Sequence, residues 1–476
     1  MKTITRRNFI KSAAISAATI SWTAKSWSQV AGANEAIRVA VVGFKGRGSD
    51  HISGLRKIPG VRITALCDVD KDVLSTGKQK VQDAETYIDI RKMLESKNVD
   101  AVSIATPNHW HALGAIWAIQ AGKDVYLEKP VSHNVWEGRK IVEAANKYNK
   151  IVQTGTQSRS SMGIKEAVEF VRKGNLGKIL VSRGLCYKRR DSIGKVDGPQ
   201  PIPPNIDYDL WCGPAQKLPL MRKRLHYDWH WVWNTGNGDI GNQGIHEMDV
   251  ARWFLGVMEL SPRVLSIGGR LGYIDDGETP NTLIVYHDYP EAPLIFEVRG
   301  LPEKKGSKNM DKYRGAQIGI VIDCENGYVS IPTYSSAIVY DKDGKIIKEF
   351  KGAEDHYANW IKAVRSRKSE DLNARILEGH LSSALCHTSN VSYRLGKKKD
   401  PNEIKEEIKS NSLFNESFGR MIEHLAANEV DVNIDKLTLG MPLKMDPKTE
   451  KFIGNDDANA LLTRNYRDPF IVPEKV

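Results

Sequence analysis

The stretch AIRVAVVGFKGRG, residues 36–48, decides the fold of the first part of this chain. It begins with a short, mostly apolar run that ends in a glycine, which is typical of a buried parallel strand. Gly43, Gly46 and Gly48 then precede a segment, SDHISGLRKI, that is compatible with a helix. The stretch therefore predicts the strand–turn–helix unit that opens a dinucleotide-binding domain.

The glycine spacing in this turn departs from the usual G-x-G-x-x-G pattern, because Lys45 takes the middle position. Gly43 still permits the tight turn, and Gly48 still permits close packing of the helix on the strand. We expect a pyrophosphate to bind at the helix N-terminus, where free N–H groups and the helix dipole favour an anion. Lys45, Gly46 and Arg47 complete this candidate cofactor-binding loop.

The next apolar strand, VRITALCDVD at residues 61–70, places Asp68 twenty residues after Gly48. A carboxylate at the end of the second strand accepts hydrogen bonds from both ribose hydroxyls and repels a 2′-phosphate, which favours NAD over NADP. The alternative is an aspartate that only caps a turn. Strand and helix patterns then alternate to about residue 156, so we predict a doubly wound, parallel Rossmann sheet over residues 34–156.

Two motifs in this domain carry a family resemblance. ATPNHWHA (residues 105–112) and YLEKP (residues 126–130) resemble the Gfo/Idh/MocA oxidoreductase family, and the resemblance extends over nearly all of residues 37–396. In that family the proline of the Glu-Lys-Pro motif is typically cis and presents the lysine to the substrate. The resemblance implies that Glu128 contacts the nicotinamide ribose, that Lys129 reaches the substrate hydroxyl, and that Asn108 and His111 line the cofactor.

The chemistry of hydride transfer explains why a lysine suits that position. As hydride leaves the carbon and the hydroxyl loses its proton, a cation beside the oxygen stabilises the developing alkoxide. The alternative for Lys129 is a solvated surface lysine.

From about residue 157 the pattern changes to short strands joined by turn signals such as YPEAP, CENG and DKDG, followed by two long helices. This pattern predicts a second, α+β domain over residues 157–396 with a mostly antiparallel open sheet. The resemblance implies that one face of that sheet lies toward the nicotinamide and the other at a subunit contact, so we expect a homo-oligomer. His380 and His387 are interpreted as packing residues, and residues 397–476 as a C-terminal extension.

The segment GNQGIHEMDVARWFLG, residues 241–256, holds the candidate acid–base residue. Its apolar spacing from Ile245 predicts a helix with His246 near its start. The resemblance implies that His246 takes the hydroxyl proton, and an ordinary pKa near neutrality suits that role. Many family members carry an aspartate four residues earlier, on the same helix face. Here that position is Asn242, which can orient a hydroxyl but carries no charge, and Asp239 is an alternative carboxylate.

Aromatic residues crowd the loop before this segment. Trp229, His230 and Trp231 offer faces that stack on the C–H faces of sugars, and indoles also donate hydrogen bonds. Together with Gln157 and Arg159, they are the candidate carbohydrate-binding groups. The alternative is a hydrophobic plug between the domains. For His246, the alternatives are a histidine satisfied by the backbone, or a metal site with Asp249 and His230, which the sequence does not favour.

The N-terminal stretch TITRRNFIK, residues 3–11, followed by thirteen uncharged residues, resembles a twin-arginine signal. Such signals carry folded proteins across the bacterial inner membrane. We therefore expect the twin-arginine export machinery to recognise residues 1–33, which are then removed to leave a periplasmic protein with no stable membrane insertion. A cofactor loaded in the cytoplasm has to travel inside the fold, tightly bound. The alternative is a chance pair of arginines.

The composition argues against several other classes of protein. The chain has 476 residues and a net charge of +11; residues 1–33 hold five Lys/Arg and no Asp/Glu, so the remainder carries a scattered +6. That charge does not favour nucleic acid as a partner. Five cysteines without CxxC spacing argue against a disulfide framework or a zinc site, and we predict no bound metal.

Taken together, these features favour an exported, NAD-dependent oxidoreductase acting on a hydroxyl or ketone of a sugar, glycoside or polyol. One alternative is a redox-neutral, NAD-dependent glycosidase or lyase, although relatives of that kind usually lack the lysine of the YLEKP motif. The other alternative is a non-catalytic sugar-binding protein, against which the pairing of Lys129 with His246 argues.

Overall fold

The computed structural model describes residues 36–476, so the expected signal segment, residues 1–33, lies outside the described part of the chain. Six parallel strands form the first sheet: β1 (Ile37–Val42), β2 (Val61–Cys67), β3 (Glu85–Tyr87), β4 (Ala101–Ile104), β5 (Asp124–Leu127) and β6 (Val152–Thr154). Their spatial order is β3-β2-β1-β4-β5-β6, with the topological switch point between β1 and β4. The predicted doubly wound Rossmann sheet is confirmed.

Five helices accompany these strands: α1 (Arg47–Leu55), α2 (Lys71–Lys80), α3 (Ile90–Leu94), α4 (Asn108–Gln120) and α5 (Val135–Lys147). The strand expected over residues 99–106 is shorter than predicted, because residues 105–107 form the turn into α4. The sequence pattern does not predict β3 and α3, since elements of three and five residues are too short to display a period.

The second sheet is large and mostly antiparallel, as predicted. Its first eight strands are β7 (Ile179–Tyr187), β8 (Arg263–Gly269), β9 (Thr282–His287), β10 (Leu294–Arg299), β11 (Ile318–Cys324), β12 (Gly327–Thr333), β13 (Ser336–Tyr340) and β14 (Ile346–Lys351). Neighbouring strands pair antiparallel except β7 and β10, which run parallel in the middle of the sheet.

Seven helices accompany this sheet: α6 (Met162–Arg172), α7 (Tyr208–Cys212), α8 (Leu225–Asp228), α9 (Gly238–Asn242), α10 (Gly244–Leu255), α11 (His356–Ser366) and α12 (Ile376–Arg394). α10 packs on β7 through buried residues such as Met248 and Phe254. α12 packs on both α5 and β8, so it contacts both domains. His380 and His387 are buried within α12, where His380 contacts Glu450 and His387 contacts Ser132.

Residues 397–476 complete both domains instead of forming a separate extension. They contain β15 (Lys397–Lys399), α13 (Pro401–Ile408), α14 (Ser412–Ala427), β16 (Leu437–Leu439), β17 (Leu443–Asp446), β18 (Lys451–Phe452) and α15 (Asp456–Ala460). β16 pairs with β8 and extends the second sheet. The chain then crosses to the first domain, where the ring of Phe470 lies 5.5 Å from that of Trp110.

All five cysteines are buried and free, as expected for a fold without a disulfide framework. Among residues 36–476, no helix combines the length and the apolar character that crossing a membrane requires.

Candidate active site

A cleft opens at the carboxyl ends of the parallel strands, at the switch point between β1 and β4, where ligands of such sheets bind. Most of the cofactor-binding residues expected from the sequence line it: Gly43, Lys45, Gly46, Arg47, Asp68, Asn108, His111 and Glu128. Lys129 and Asn242 also line the cleft, and so do Trp229 and His230 from the second domain. The fold therefore brings together residues that lie up to 200 positions apart in the chain.

The glycine turn after β1 has the shape that the sequence predicts. Gly43 has a φ of +73°, which disfavours any residue with a side chain. A Cβ atom on Gly48 would lie 2.1 Å from the carbonyl oxygen of Gly43, so the helix and the turn touch backbone to backbone. α1 begins at Arg47, directly after this turn, and its free N–H groups lie at the cleft.

Asp68 follows the last residue of β2 and is held by two backbone groups. Its Oδ2 accepts a hydrogen bond from the N–H of Phe44 at 3.0 Å, and its Oδ1 accepts one from the N–H of Asp70 at 3.1 Å. Burial raises the pKa of Asp68 to about 6, against the opposing effect of these hydrogen bonds. The carboxylate is therefore charged at neutral pH and fixed at the edge of the cleft.

Glu128 lies at the centre of a buried polar cluster. Its Oε1 accepts hydrogen bonds from Arg47 Nε at 3.0 Å, His51 Nε2 at 3.0 Å and Gln157 Nε2 at 3.3 Å. Burial opposes ionisation, but the hydrogen bond and charge of His51, with the charges of Lys129 and Arg47, lower the pKa of Glu128 well below its usual range. The sequence did not single out His51, whose partner lies 77 residues away.

Lys129 extends from the first domain to the second. Its peptide bond to Pro130 is cis, as the resemblance implies. Its Nζ donates a hydrogen bond to the backbone carbonyl of Asn242, 2.9 Å away. Burial lowers the pKa of Lys129, although the charge of Glu128 acts in the opposite direction. The Asn242 contact made by Lys129 is thus through the backbone, so an aspartate at position 242 is not needed to hold the lysine in place.

The helix that carries His246 begins at Gly244, one residue before the predicted start at Ile245. Asn242 is the last residue of the short helix α9, and Gln243 joins α9 to α10 with helical backbone angles, φ −88° and ψ −46°. The alternative carboxylate, Asp239, is engaged elsewhere, because Arg190 binds both of its oxygens, at 2.6 and 2.9 Å.

His246 is a buried, neutral imidazole. Its side chain packs with its ring 5.3 Å from that of Tyr334, and its Nδ1 is buried without a hydrogen-bond partner among the described residues. Burial, assisted by the positive charge of Lys129, lowers the pKa of His246 to about 3. This pKa lies below the near-neutral value that the sequence led us to expect for a general base, so the imidazole is neutral at physiological pH and holds a proton only weakly.

A polar chain beside His246 was not predicted. Lys188 Nζ donates to Gln243 Oε1 at 2.8 Å, and Gln243 Nε2 contacts the hydroxyl of Tyr334 at 2.6 Å and Glu247 Oε1 at 3.2 Å. Burial raises the pKa of Glu247 to about 8, so this carboxyl holds a proton at neutral pH. No local pattern could have revealed the chain, since its members come from β7, α10 and the β12–β13 turn.

Two of the residues expected to bind substrate do not face the cleft. Arg159 has a side chain that is only 5% exposed and forms a bidentate ion pair with Asp249, both contacts being 2.8 Å. Trp231 is buried beneath Arg190, whose guanidinium carbon lies 5.1 Å from the ring. Both residues are structural, because their polar or aromatic groups are already satisfied inside the second domain.

Trp229 and His230 line the cleft, whereas Gln157 does not line it but donates to Glu128, which does, at 3.3 Å. The rings of Trp229 and His230 are stacked, with centroids 3.6 Å apart, and His230 is the more exposed of the two. With Asp249 paired to Arg159 and His230 stacked on Trp229, the proposed metal triad has no basis. Within residues 36–476, no group of three or more His, Cys, Asp or Glu side chains is arranged to hold a metal ion.

Asn108 and His111 line the cleft, and their side chains form hydrogen bonds to neighbouring protein groups. Asn108 Nδ2 donates to Asn237 Oδ1 at 2.9 Å. His111 Nδ1 lies 2.5 Å from the carbonyl oxygen of Pro130 and its Nε2 lies 2.8 Å from that of Thr106; the neutral ring, which burial favours, donates to one of the two. His111 thereby fastens the Lys129–Pro130 turn to the turn that precedes α4.

Two family models match this chain, one for each domain. Residues 37–156 match the oxidoreductase family's NAD-binding Rossmann fold, and residues 162–288 match the C-terminal alpha/beta domain of the same family. The two matches together cover more than half of the chain. The chain belongs to the Gfo/Idh/MocA oxidoreductase family.

Several curated members of the Gfo/Idh/MocA family resemble this chain in sequence. Myo-inositol 2-dehydrogenase of Thermotoga maritima is 30% identical over 220 residues, which are 46% of this chain and 55% of the relative. Inositol 2-dehydrogenase of Rubrobacter xylanophilus is 28% identical over 313 residues, which are 65% of this chain and 75% of the relative. The chain spans about half the length of most of the curated relatives it matches.

Solved structures of this family share the fold. The WlbA dehydrogenase of Bordetella pertussis, in complex with NADH and UDP-GlcNAcA, is 21% identical and has a TM-score of 0.56, with 75% of this chain and 96% of that chain covered. The WlbA enzyme of Chromobacterium violaceum gives a TM-score of 0.58 at 20% identity, with 76% and 94% covered. At these identities the likeness shows the fold alone.

The residues of this chain fit the NAD for which the family's first domain is named. Gly43 and Gly46 line the cleft where a pyrophosphate approaches, with open space beside Gly46, and α1 directs its free N–H groups there. Asp68 is charged and fixed at the end of β2, where it can accept hydrogen bonds from both ribose hydroxyls.

Proposed function

We propose that this protein is an NAD-dependent dehydrogenase that oxidises a hydroxyl, or reduces the corresponding ketone, of a sugar, glycoside or polyol. The observation that carries the proposal is the position of Lys129. Its ammonium group lies in the cofactor cleft and is bound to the backbone of α9, just before the helix that presents His246. A cation in the cleft and a neutral imidazole on the adjoining helix, near enough for the charge of Lys129 to lower the pKa of His246, supply the two kinds of group that alcohol oxidation requires.

Each residue has a distinct part in this proposal. The bound cofactor would accept hydride from the carbon that carries the reacting hydroxyl. Lys129 stabilises the negative charge that develops on the oxygen, and His246 takes the hydroxyl proton through its neutral imidazole. Glu128 holds Lys129 by charge and by its hydrogen bond from the Lys129 backbone N–H at 3.2 Å.

The substrate class follows from the aromatic wall and from the relatives. The half-buried ring of His230, stacked on Trp229, offers a surface for the C–H face of a ring at the cleft. The Thermotoga and Rubrobacter relatives are inositol dehydrogenases by name, so a cyclic polyol such as myo-inositol is the first substrate to test.

We further propose that the protein is exported folded to the periplasm by the twin-arginine machinery, with its cofactor already bound. The arginine pair at residues 6 and 7, the short uncharged run after it and the small residues at 31–33 support this proposal. Because no cofactor pool waits outside, bound NADH would be reoxidised in place by a second carbonyl compound, which accepts hydride and a proton and becomes an alcohol.

We also propose that copies of the chain associate. The outer strand β14 exposes Ile346 and Ile347, each about half accessible, at the edge of a large open sheet. Light scattering on the purified protein tests this point, and a monomer at micromolar concentration would contradict it.

The test of function begins with protein purified from the periplasm without added cofactor. Near-stoichiometric NAD(H) in a denatured extract, and a change in nicotinamide absorbance on adding a polyol or sugar, are the expected results. Release of an aglycone from a glycoside without net reduction would favour the redox-neutral glycosidase instead. Protein with no affinity for NAD would contradict the enzyme and favour a sugar-binding protein.

A further inference from the structure

A second cavity, of about 440 Å³, shares no lining residue with the cofactor cleft. It lies where four parts of the chain meet: the loop after Pro130, the loop at residues 233–237, the last turns of α12 and residues 460–465 of the C-terminal segment. Neither the family comparison nor the proposed reaction uses this cavity.

The charge of the cavity is one-sided. Two guanidinium groups, Arg394 and Arg464, belong to its lining, which contains no carboxylate. Within residues 36–476, no carboxylate oxygen lies within 4.0 Å of either group. Burial lowers the pKa of both arginines, and the charge of Arg464 also acts against Arg394. Arg464 is half-buried with no carboxylate of the described chain in direct contact, and an anion bound between it and the more exposed Arg394 would offset the cost of burying its charge.

Two carboxylates, Glu137 and Glu278, act electrostatically on these arginines, and both already accept hydrogen bonds from other groups. Glu137 accepts hydrogen bonds from the hydroxyl of Tyr466 at 2.9 Å and from the N–H of His133 at 2.8 Å. Glu278 is exposed and accepts from the N–H of Trp233 at 2.6 Å. Glu137 and Glu278 raise the pKa of Arg464 and Arg394, respectively, from a distance, but neither carboxylate lies within 4.0 Å of a guanidinium nitrogen or lines the cavity.

Unpartnered polar atoms point to a ligand that also carries hydroxyl groups. Arg464 donates through one terminal nitrogen to the carbonyl of Asn234, but its other terminal nitrogen is buried without a partner among the described residues. Asn390 is almost fully buried, and its Oδ1 likewise has no partner in the described chain. A guanidinium N–H is a donor for an oxyanion, and an amide oxygen is an acceptor for a hydroxyl.

We propose that this cavity binds a small hydroxylated oxyanion, a sugar acid or sugar phosphate, whose charged group lies between Arg394 and Arg464. A single side chain, that of Asn237, connects this cavity to a residue that lines the cofactor cleft. Asn237, which lines the cavity, donates to the carbonyl of His133 at 2.9 Å and accepts from Asn108, which lines the cleft. A ligand in the cavity thus contacts the framework that holds the cofactor site.

Calorimetric titration of the purified protein with D-glucuronate and, separately, with glucose 6-phosphate tests this proposal. Saturable binding of at least one of them, absent with glucose, is expected. Arg464→Gln and Arg394→Gln should each weaken it about tenfold or more, since each removes a charge-assisted hydrogen-bond donor. The matched control is Arg62→Gln, which removes an exposed arginine that makes no side-chain hydrogen bond in the described chain.

Glucuronate carries a carboxylate and glucose 6-phosphate a phosphate, so the two titrations distinguish these two forms of the ligand. Inorganic phosphate, which has no sugar hydroxyls, is the third probe. Binding of inorganic phosphate as tight as that of the sugar phosphate would overturn the hydroxyl part of the proposal. Affinity unchanged in both arginine variants would place the ligand in the active site and overturn the cavity site. NAD binding in the same samples reports folding, and if Arg464→Gln does not fold, the exposed Arg394 carries the test.

Discussion

The ammonium group of Lys129 donates a hydrogen bond to the backbone carbonyl of Asn242, 2.9 Å away, and joins the Rossmann domain to the domain that carries His246. The contact uses a carbonyl that any residue at position 242 would supply. The family's usual aspartate is therefore dispensable for placing the lysine, which explains how Asn242 can stand at that position.

Replacing Lys129 with methionine keeps the length of the side chain and removes its charge. We expect kcat for polyol oxidation to fall about 100- to 1000-fold, the usual loss when one group that stabilises a developing oxyanion is removed. NAD affinity, measured by calorimetry, should change little. Lys129→Arg is the control, because it keeps the charge and should lose less activity. Equal kcat in the methionine variant and the wild type would exclude Lys129 from catalysis.

His246→Gln should lower kcat about 100- to 10,000-fold, the range for loss of a general base. Because the pKa of His246 is lowered to about 3, the base is already neutral across the physiological range. The rate of the wild type should therefore show no acid limb from this histidine between about pH 5 and 8. Tyr334→Phe keeps the ring beside His246 and serves as the control. A His246-dependent limb near neutral pH would contradict the buried, neutral state.

The parts of this fold that the sequence predicts are those with a local period. β1 and β5 begin and end where the apolar runs do, and the turn at Gly43 follows from backbone sterics alone. Residues 397–476 carried no such signal, because β16 pairs with β8 about 170 positions earlier and is only three residues long. Their role depends on contacts that no local window contains.

The candidate site divides in the same way. Asp68 is predicted from the sequence because it directly follows the apolar run of β2, and Lys129 because the YLEKP motif carries the family resemblance. Arg159 was misplaced, because its partner Asp249 lies 90 residues away and turns the side chain into the core. The short helix α9 was also missed, since its residues were interpreted as a glycine-rich loop.

The pKa of Asp68 predicts a pH-dependent choice of cofactor. Burial raises that pKa to about 6, so the carboxyl is charged above this pH and neutral below it. As the pH falls through about 6, NAD should bind more weakly, and the preference for NAD over NADP should shrink because the charge that repels a 2′-phosphate is lost. Asp68→Asn should abolish both pH effects. Binding titrations at pH 5 to 8 measure them, and a constant NAD preference would refute the assignment.

Substitutions at Arg159 and Gln157 test which of these two candidate residues contributes to substrate binding. Arg159→Ala removes the bidentate partner of the buried Asp249 carboxylate and leaves it Arg252 at 3.8 Å and the Ser382 hydroxyl at 2.7 Å, so the free energy of unfolding in urea should fall by about 3 kcal/mol. The KM of the folded enzyme should change little. Gln157→Ala is the matched comparison, because Gln157 donates to Glu128, which lines the cleft. It should raise KM with little loss of stability. A raised KM with unchanged stability in Arg159→Ala would instead indicate that Arg159 binds substrate.

Substitutions at His230 and Trp231 distinguish a sugar-binding role of this loop from a purely structural role. His230→Ala removes the half-buried ring stacked on Trp229, and KM should rise about tenfold, since a stacking contact is worth about 0.5–1.5 kcal/mol. Trp231→Phe leaves a smaller ring beneath Arg190, so it should lower the thermal midpoint and leave KM unchanged. Steady-state kinetics and thermal unfolding of the two variants provide the measurements. If both changed KM equally, the loop would bind sugar along its whole length; if neither did, it would serve only to pack the domains together.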